Sequence, residues 1–209
     1  MVQMSRMFDK VIILATYKIT KSLSHVTINN SATTIKEGSS YTATLSASSG
    51  YSIDTVTIKM GGVDITSSAY SSSTKKINIV NVTGDITITA TTIKIVTLNV
   101  GIGFKWGDDE DCYIDVYDRN SRHISKHYEQ ASGIRIYSGY SLSCWVRGNQ
   151  NDSINVGYVE INGVRVFTNS STRAKSYEWT VPDNISTVNV VLYNTNNWND
   201  PTWITVTTS

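Results

Sequence analysis

The residues able to do chemistry are few, and most gather in the second half of the chain. GDDEDCYIDVYD brings Asp108, Asp109, Glu110, Asp111 and Asp115 close together. Carboxylate oxygens are hard ligands that suit calcium. The D-x-D-x-D-G run of an EF-hand loop is missing. Asp108, Asp109 and Asp111 therefore stand as calcium candidates beside a plainer reading, a solvated acidic loop that keeps a sheet edge soluble. His123 and His127 lie four apart in RHISKHY. In a strand they share a face but stand about 13 Å apart by strand rise, too far to hold one ion. No G-x-S-x-G accompanies the three histidines, so nothing marks a Ser-His-Asp triad. No carboxylate pair is singled out for glycoside hydrolysis. GIGFKWG lacks the glycine spacing of a dinucleotide site. The expected protein is not an enzyme and needs no cofactor.

Aromatic residues are the best binding signal. Trp106, Trp145, Trp179, Trp198 and Trp203 all fall in the second half, with Tyr113, Tyr117, Tyr128, Tyr137, Tyr140 and Tyr193. Flat rings beside amides and carboxylates suit sugars, whose apolar faces pack on rings while hydroxyls bond to polar groups. The loop NTNNWNDPTW is the most sugar-friendly stretch, and Trp198, Trp203, Asn197 and Asp200 are the candidate glycan-binding residues. The competing expectation is structural: Trp145 and Trp179 alternate into the core, and Trp198 and Trp203 pack a loop.

These residues must be carried by strands. The chain has 209 residues, only 2 prolines and 17% charged residues. Such length allows one large or two small domains, and a Thr-, Ser- and β-branched-rich sequence of low charge favours an all-β fold. Net charge is +1, so no global basic footprint for nucleic acid exists. Residues 1–94 carry nine Lys/Arg and five Asp/Glu, and residues 95–209 carry nine and twelve. An offset this small suits head-to-tail contacts and ordinary scatter alike. No stretch approaches membrane-spanning length. The run from Val11 to Ala15 is short for a signal peptide and follows Asp9. Cys112 and Cys144 have no zinc-type spacing and read as two buried thiols, though they could face one another across a sandwich.

Residues 1–15 read as a leader. Met4, Met7 and Phe8 are adaptable contact residues and the candidate anchor to a partner; a frayed terminus is the plainer alternative. Residues 16–94 form the first expected domain, with short strands punctuated by Gly38, Gly50, Gly61, Gly62 and Gly84. In DITITAT, Ile86, Ile88 and Ala90 share one face. A short, stiff junction is expected near Thr92–Ile95. Residues 95–209 form the second domain and do not repeat the first. YIDVYD-RNS-RHIS places a turn at Asp118–Ser121, and Asn162-Gly163 in YVEI-NG-VRVF is a strong hairpin signal. About ten strands here suggest a jelly-roll-like sandwich.

The motifs YTATL, GYSIDTVTIKMGGVDIT and INIVNVTGDITITA give residues 16–94 a family likeness. This segment resembles the small immunoglobulin-like repeats appended to phage structural proteins and bacterial surface proteins. YEWTVPDNISTVNVVLYNT is similar to the end strands of phage fibre and surface sandwich domains. The first resemblance implies a Greek-key sandwich whose core holds Tyr41, Leu45, Tyr51, Val56, Ile58, Ile77, Ile79, Val82, Ile86 and Ile88. Together they imply a non-catalytic virion surface protein, a capsid decoration, head-fibre or tail appendage assembled in the host cytoplasm. Capsid or tail proteins, further copies of the chain and host glycans are the expected partners, with no nucleic acid and no membrane. The alternative is a carbohydrate-binding module for host-surface glycans. The expected fold is all-β: two β-sandwich domains, immunoglobulin-like then jelly-roll-like, after the leader.

Overall fold

The computed structural model describes residues 14–105, 112–148 and 156–195. The chain is built almost wholly of strands and belongs to the β-sandwich class. It divides into two compact units between Thr92 and Ile93.

The first unit begins with β1 (Thr16–Leu23), β2 (Val26–Ile28), β3 (Thr34–Lys36), β4 (Tyr41–Ala47) and β5 (Tyr51–Met60). Next come β6 (Val63–Asp64), a single helical turn α1 (Thr66–Ala69), β7 (Tyr70–Ser71), β8 (Lys76–Ile79) and the start of β9 (Ile86–Lys105). One sheet has the order β3-β1-β9-β5-β6, and the other β2-β4-β8-β7. β1 runs parallel to β9, with Ile19 opposite Ile86 and Leu23 opposite Ala90. Alternation decides what is buried. Ile86, Ile88 and Ala90 turn inward with Ile19 and Ile58, against Tyr41, Ala43, Leu45, Ile77 and Ile79 from the facing sheet. Thr87 between them is exposed, as a period of two requires.

Tyr51 departs from the expected core. It is only half-buried, and its ring stacks on His25 at 4.2 Å with the planes 5° apart. The tight reversal after β1 accounts for this. His25 takes a positive φ of 51°, and Ser48 N–H donates to its carbonyl. These contacts hold the two rings together at the rim. Val56 is also half-buried and packs against the core from its margin. β8 ends at Ile79, and Asn81 just beyond it has a positive φ of 56°, which a strand does not accept. Val82 nevertheless returns to the core, where its N–H donates to the Ser39 carbonyl.

The second unit continues β9 and adds β10 (Tyr113–Tyr117), β11 (His123–His127), β12 (Ala131–Tyr137) and β13 (Ser141–Val146). It is completed by β14 (Gly157–Ile161), β15 (Val164–Asn169), β16 (Lys175–Thr180) and β17 (Thr187–Thr195). One sheet has the order β15-β14-β17-β9-β12. The other is four-stranded, β11-β10-β13-β16. Val96, Leu98, Val100, Val188, Val190 and Leu192 from the first meet Ile114, Val116, Leu142, Cys144 and Val146 from the second. β17 runs parallel to β9, one parallel pair in a sandwich that a strict jelly roll would make wholly antiparallel. Asn99 Nδ2 donates to Asn189 Oδ1 at 2.9 Å across this pair and helps fix its register. Asn162 and Gly163 have φ of 52° and 79°, the primed-turn geometry that suits the twist of β14 and β15. Asp118 closes the β10–β11 turn, its Oδ1 accepting from the N–H groups of Asn120 and Arg122.

A buried amide ties the end of β13 to β15. Asn169 Nδ2 donates to the carbonyls of Val146 at 2.9 Å and Arg173 at 2.8 Å, while its Oδ1 accepts from Ser171 N–H. Gly148 must be glycine here, since a Cβ would collide with the Asn169 carbonyl. Replacing Asn169 by Leu keeps the volume but strands two carbonyls. Loss of a buried partner costs about 1–3 kcal/mol per group. Asn169→Leu should therefore lower the unfolding free energy of the second unit by about 3 kcal/mol, read as a shift in its urea midpoint with the slope unchanged.

Candidate functional site

The open face of the β11-β10-β13-β16 sheet gathers one group of polar and aromatic side chains of the second unit. On β13, Leu142, Cys144 and Val146 enter the core, so Ser141, Ser143 and Trp145 point outward. On β10, Ile114 and Val116 enter the core, so Tyr113, Asp115 and Tyr117 point outward. Register then sets the neighbours. Tyr113 lies opposite Trp145, and Asp115 opposite Ser143. Ser143 lies opposite Glu178, and Trp145 opposite Ser176. Trp145 was expected in the core. It lies on the outer face because its strand parity is that of Ser141 and Ser143. Trp179, on the other parity, is half-buried against the core.

The rings form one connected group. Tyr113 and Trp145 are nearly parallel, 22° apart, with centroids at 5.6 Å. Tyr128 leans against Tyr113 at 5.4 Å. Lys126 Nζ lies 3.7 Å from the Tyr113 ring centroid and 5.2 Å from that of Tyr128. A desolvated ammonium is drawn to ring faces by their quadrupole. Lys126 also lies 3.8 Å from Asp115 Oδ2. Burial pulls the Lys126 pKa down, but the hydrogen bond with Tyr128 and the Asp115 charge outweigh it and raise it. Burial raises the Tyr113 phenol, with Lys126 opposing.

Asp115 is the anchor of the polar groups. Its side chain is only 9% exposed. His123 Nε2 donates to its Oδ1 at 2.9 Å. Ser143, also buried, donates to Glu178 Oε1 at 2.5 Å, while Glu178 stays exposed. The sheet face thus holds two carboxylates in fixed positions beside flat rings, Asp115 buried among them and Glu178 open to solvent.

The two histidines of β11 do not share a face, contrary to the strand reading of RHISKHY. A bulge shifts the register between Val116 and Tyr117, so Tyr117 pairs with His123 while Ile114 pairs with His127. One extra residue reverses the parity of everything beyond it. His123 therefore joins Asp115 outside. His127 lies on the inward side, where its Nε2 and Ser125 Oγ share a hydrogen bond at 3.0 Å. Burial lowers the His127 pKa. Among the described residues no group of three or more His, Cys, Asp or Glu is placed to hold a metal.

Trp198, Trp203, Asn197 and Asp200 lie outside the described residues, as do Met4, Met7 and Phe8, and Asp108, Asp109 and Asp111. Cys112 and Cys144 are buried and carry thiols, with no disulfide between them. Burial first, then Glu178 and Cys112, push the Cys144 thiol far up. Ser143 and Glu178 did not stand out as site residues in sequence, and Asp115 did so only as a member of the acidic cluster GDDEDCYIDVYD. The signal was present in the shared parity of Y-x-D-x-Y and S-x-S-x-W.

No family model matches the chain, and no curated protein matches it. Among solved structures the chain is similar to two mutants of the major pilin of Streptococcus pyogenes. One has a TM-score of 0.22 and 10% identity, over 88% of this chain and 99% of that chain. The other has a TM-score of 0.21 and 8% identity over the same shares, 88% and 99%. At such scores the alignment carries no argument about role, and the reading of this chain rests on its own residues.

His127, on the inward side of the same sheet, gives the second unit a measurable pH dependence. Its folded pKa lies below the ordinary value of 6.5, so the unfolded chain binds its proton more readily. Stability is then greatest above that value and falls as the pH drops through it. The melting temperature should decline from pH 7.5 to pH 5, and His127→Gln should flatten part of that decline.

Proposed function

We propose that this chain is a non-catalytic surface protein that works by attachment and display, with the second unit as its recognition part. One observation carries this reading. A connected group of polar and aromatic side chains of the second unit is gathered on an open sheet face, with its polar members bonded to one another in pairs. Asp115 is engaged by His123 and Lys126, and Glu178 by Ser143. Such an arrangement pre-organises a binding surface, because the side chains are already held before a partner arrives. It offers no activated nucleophile. Ser125 and His127 are hydrogen-bonded, but among the described residues no carboxylate orients the His127 ring.

The setting we assign is a bacteriophage virion, on a capsid, a head fibre or a tail. Support for it comes from the likeness of residues 16–94 to the immunoglobulin-like repeats of phage structural proteins. In this reading Met4, Met7 and Phe8 anchor the chain to a capsid or tail protein, and further copies of the chain assemble beside it. Assembly takes place in the host cytoplasm.

The test mixes the purified full chain, and the same chain without residues 1–15, with empty capsids and with tails of the source phage. Binding of the full chain to one of them, lost on removing residues 1–15, is the expected outcome. Binding to neither particle would overturn the virion setting.

A further inference from the structure

From the residues around Trp145 we infer a binding site for a neutral glycan on the open face of the four-stranded sheet. This deepens the display reading by naming what the displayed face recognises.

Trp145 sits between two kinds of neighbour. Tyr113 lies directly across on β10, and Ser176 directly across on β16. Asp115 and Glu178 occupy the diagonal positions, since each is paired with Ser143, two residues before Trp145. Directly opposed residues on one sheet face stand about 4.5–5.5 Å apart, and diagonal ones about 7–8 Å. A pyranose ring is of this size. Laid on the Trp145 ring, it brings its hydroxyls to the Ser176 hydroxyl and the Glu178 carboxylate, and extends toward Tyr113. The indole face supplies apolar contact at low entropic cost, because it has only two side-chain torsions and Tyr113 packs beside it.

The charges of the face select the sugar. Glu178 is exposed, and its Oε1 accepts from Ser143, which fixes the carboxylate and leaves lone pairs for ligand hydroxyls. Hydrogen bonds from hydroxyls to a carboxylate are stronger than those between neutral groups. Lys126 is already engaged by Tyr113, Tyr128 and Asp115, and His123 by Asp115. A sugar carboxylate or sulfate would meet Glu178 as a like charge, with these neighbouring groups engaged. The preferred ligand is therefore a neutral hexose or N-acetylhexosamine chain, bound without turnover.

Calorimetric titration of the full chain with neutral oligosaccharides of N-acetylglucosamine, glucose and galactose tests this, with sialyllactose as the acidic probe. At least one neutral series should bind, and sialyllactose should bind far more weakly. Trp145→Ala should weaken that binding by about tenfold or more, with the melting temperature checked in parallel. Glu178→Gln, an exposed and isosteric change, should also weaken it and decides the matter if Trp145→Ala does not fold. No binding of any neutral series up to about 10 mM, equal binding of sialyllactose, or full binding by the folded variants would each overturn the site. The particle-binding test uses different partners. A chain that attaches to virions but ignores sugars sinks this inference alone, and one that binds sugars but not virions sinks only the virion setting.

Discussion

Burial of alternate residues along β9 is the constraint on which the rest of the structure depends. Its inward residues serve the core of each unit: Ile86, Ile88 and Ala90 in the first, Val96, Leu98, Val100 and Ile102 in the second. Each fully buried aliphatic side chain contributes about 1.5–3 kcal/mol through removal from water. Because side chains alternate with a period of two, a slip by one residue would expose this whole row. The register of the strands that flank β9 follows from the same demand. β1 and β17 both lie parallel to it, with Ile19 beside Ile86 in the first pair and Val188, Val190 and Leu192 beside Leu98, Val100 and Ile102 in the second.

The outer sheet face of the second unit is a consequence of that burial. Once Ile114, Val116, Leu142, Cys144 and Val146 are committed to the core, the residues between them have one direction left. That direction brings Tyr113, Asp115, Ser143 and Trp145 together without any loop to place them. A strand is a stiff support, so a binding face built on strands is held more firmly than one built on loops. The near absence of solvent around Asp115 and Ser143 then makes their hydrogen bonds obligatory, since a buried polar group without a partner is costly. The pairs with His123, Lys126 and Glu178 meet that demand, and in doing so fix the positions of the groups a ligand would touch.

Local backbone devices adjust this plan in places. The bulge opposite Val116 and Tyr117 turns His123 outward and leaves His127 inside. Asn169 reaches across to the end of β13 and satisfies carbonyls where the strand ladder stops. Gly148 allows the close approach this requires. These devices do not create the sandwich. They determine how its edges close and which polar groups reach the surface.

The sequence alone determined the strand-rich class, the inward parity of DITITAT, and the turns at Asp118–Ser121 and Asn162-Gly163. Those features are local: they depend on alternation and on backbone geometries that only a few residue types accept. It also held the parity that places Trp145 with Ser141 and Ser143, although the size and apolarity of tryptophan argued for the core. What only the tertiary structure decided was which strands lie side by side. The parallel pairings of β9, the bulge that separates His123 from His127, and the meeting of Trp145 with Tyr113 and of Ser143 with Glu178 all depend on contacts between distant segments. No local pattern encodes such a pairing. It is selected by how well two hydrophobic faces fill the space between them, a property of the whole sandwich.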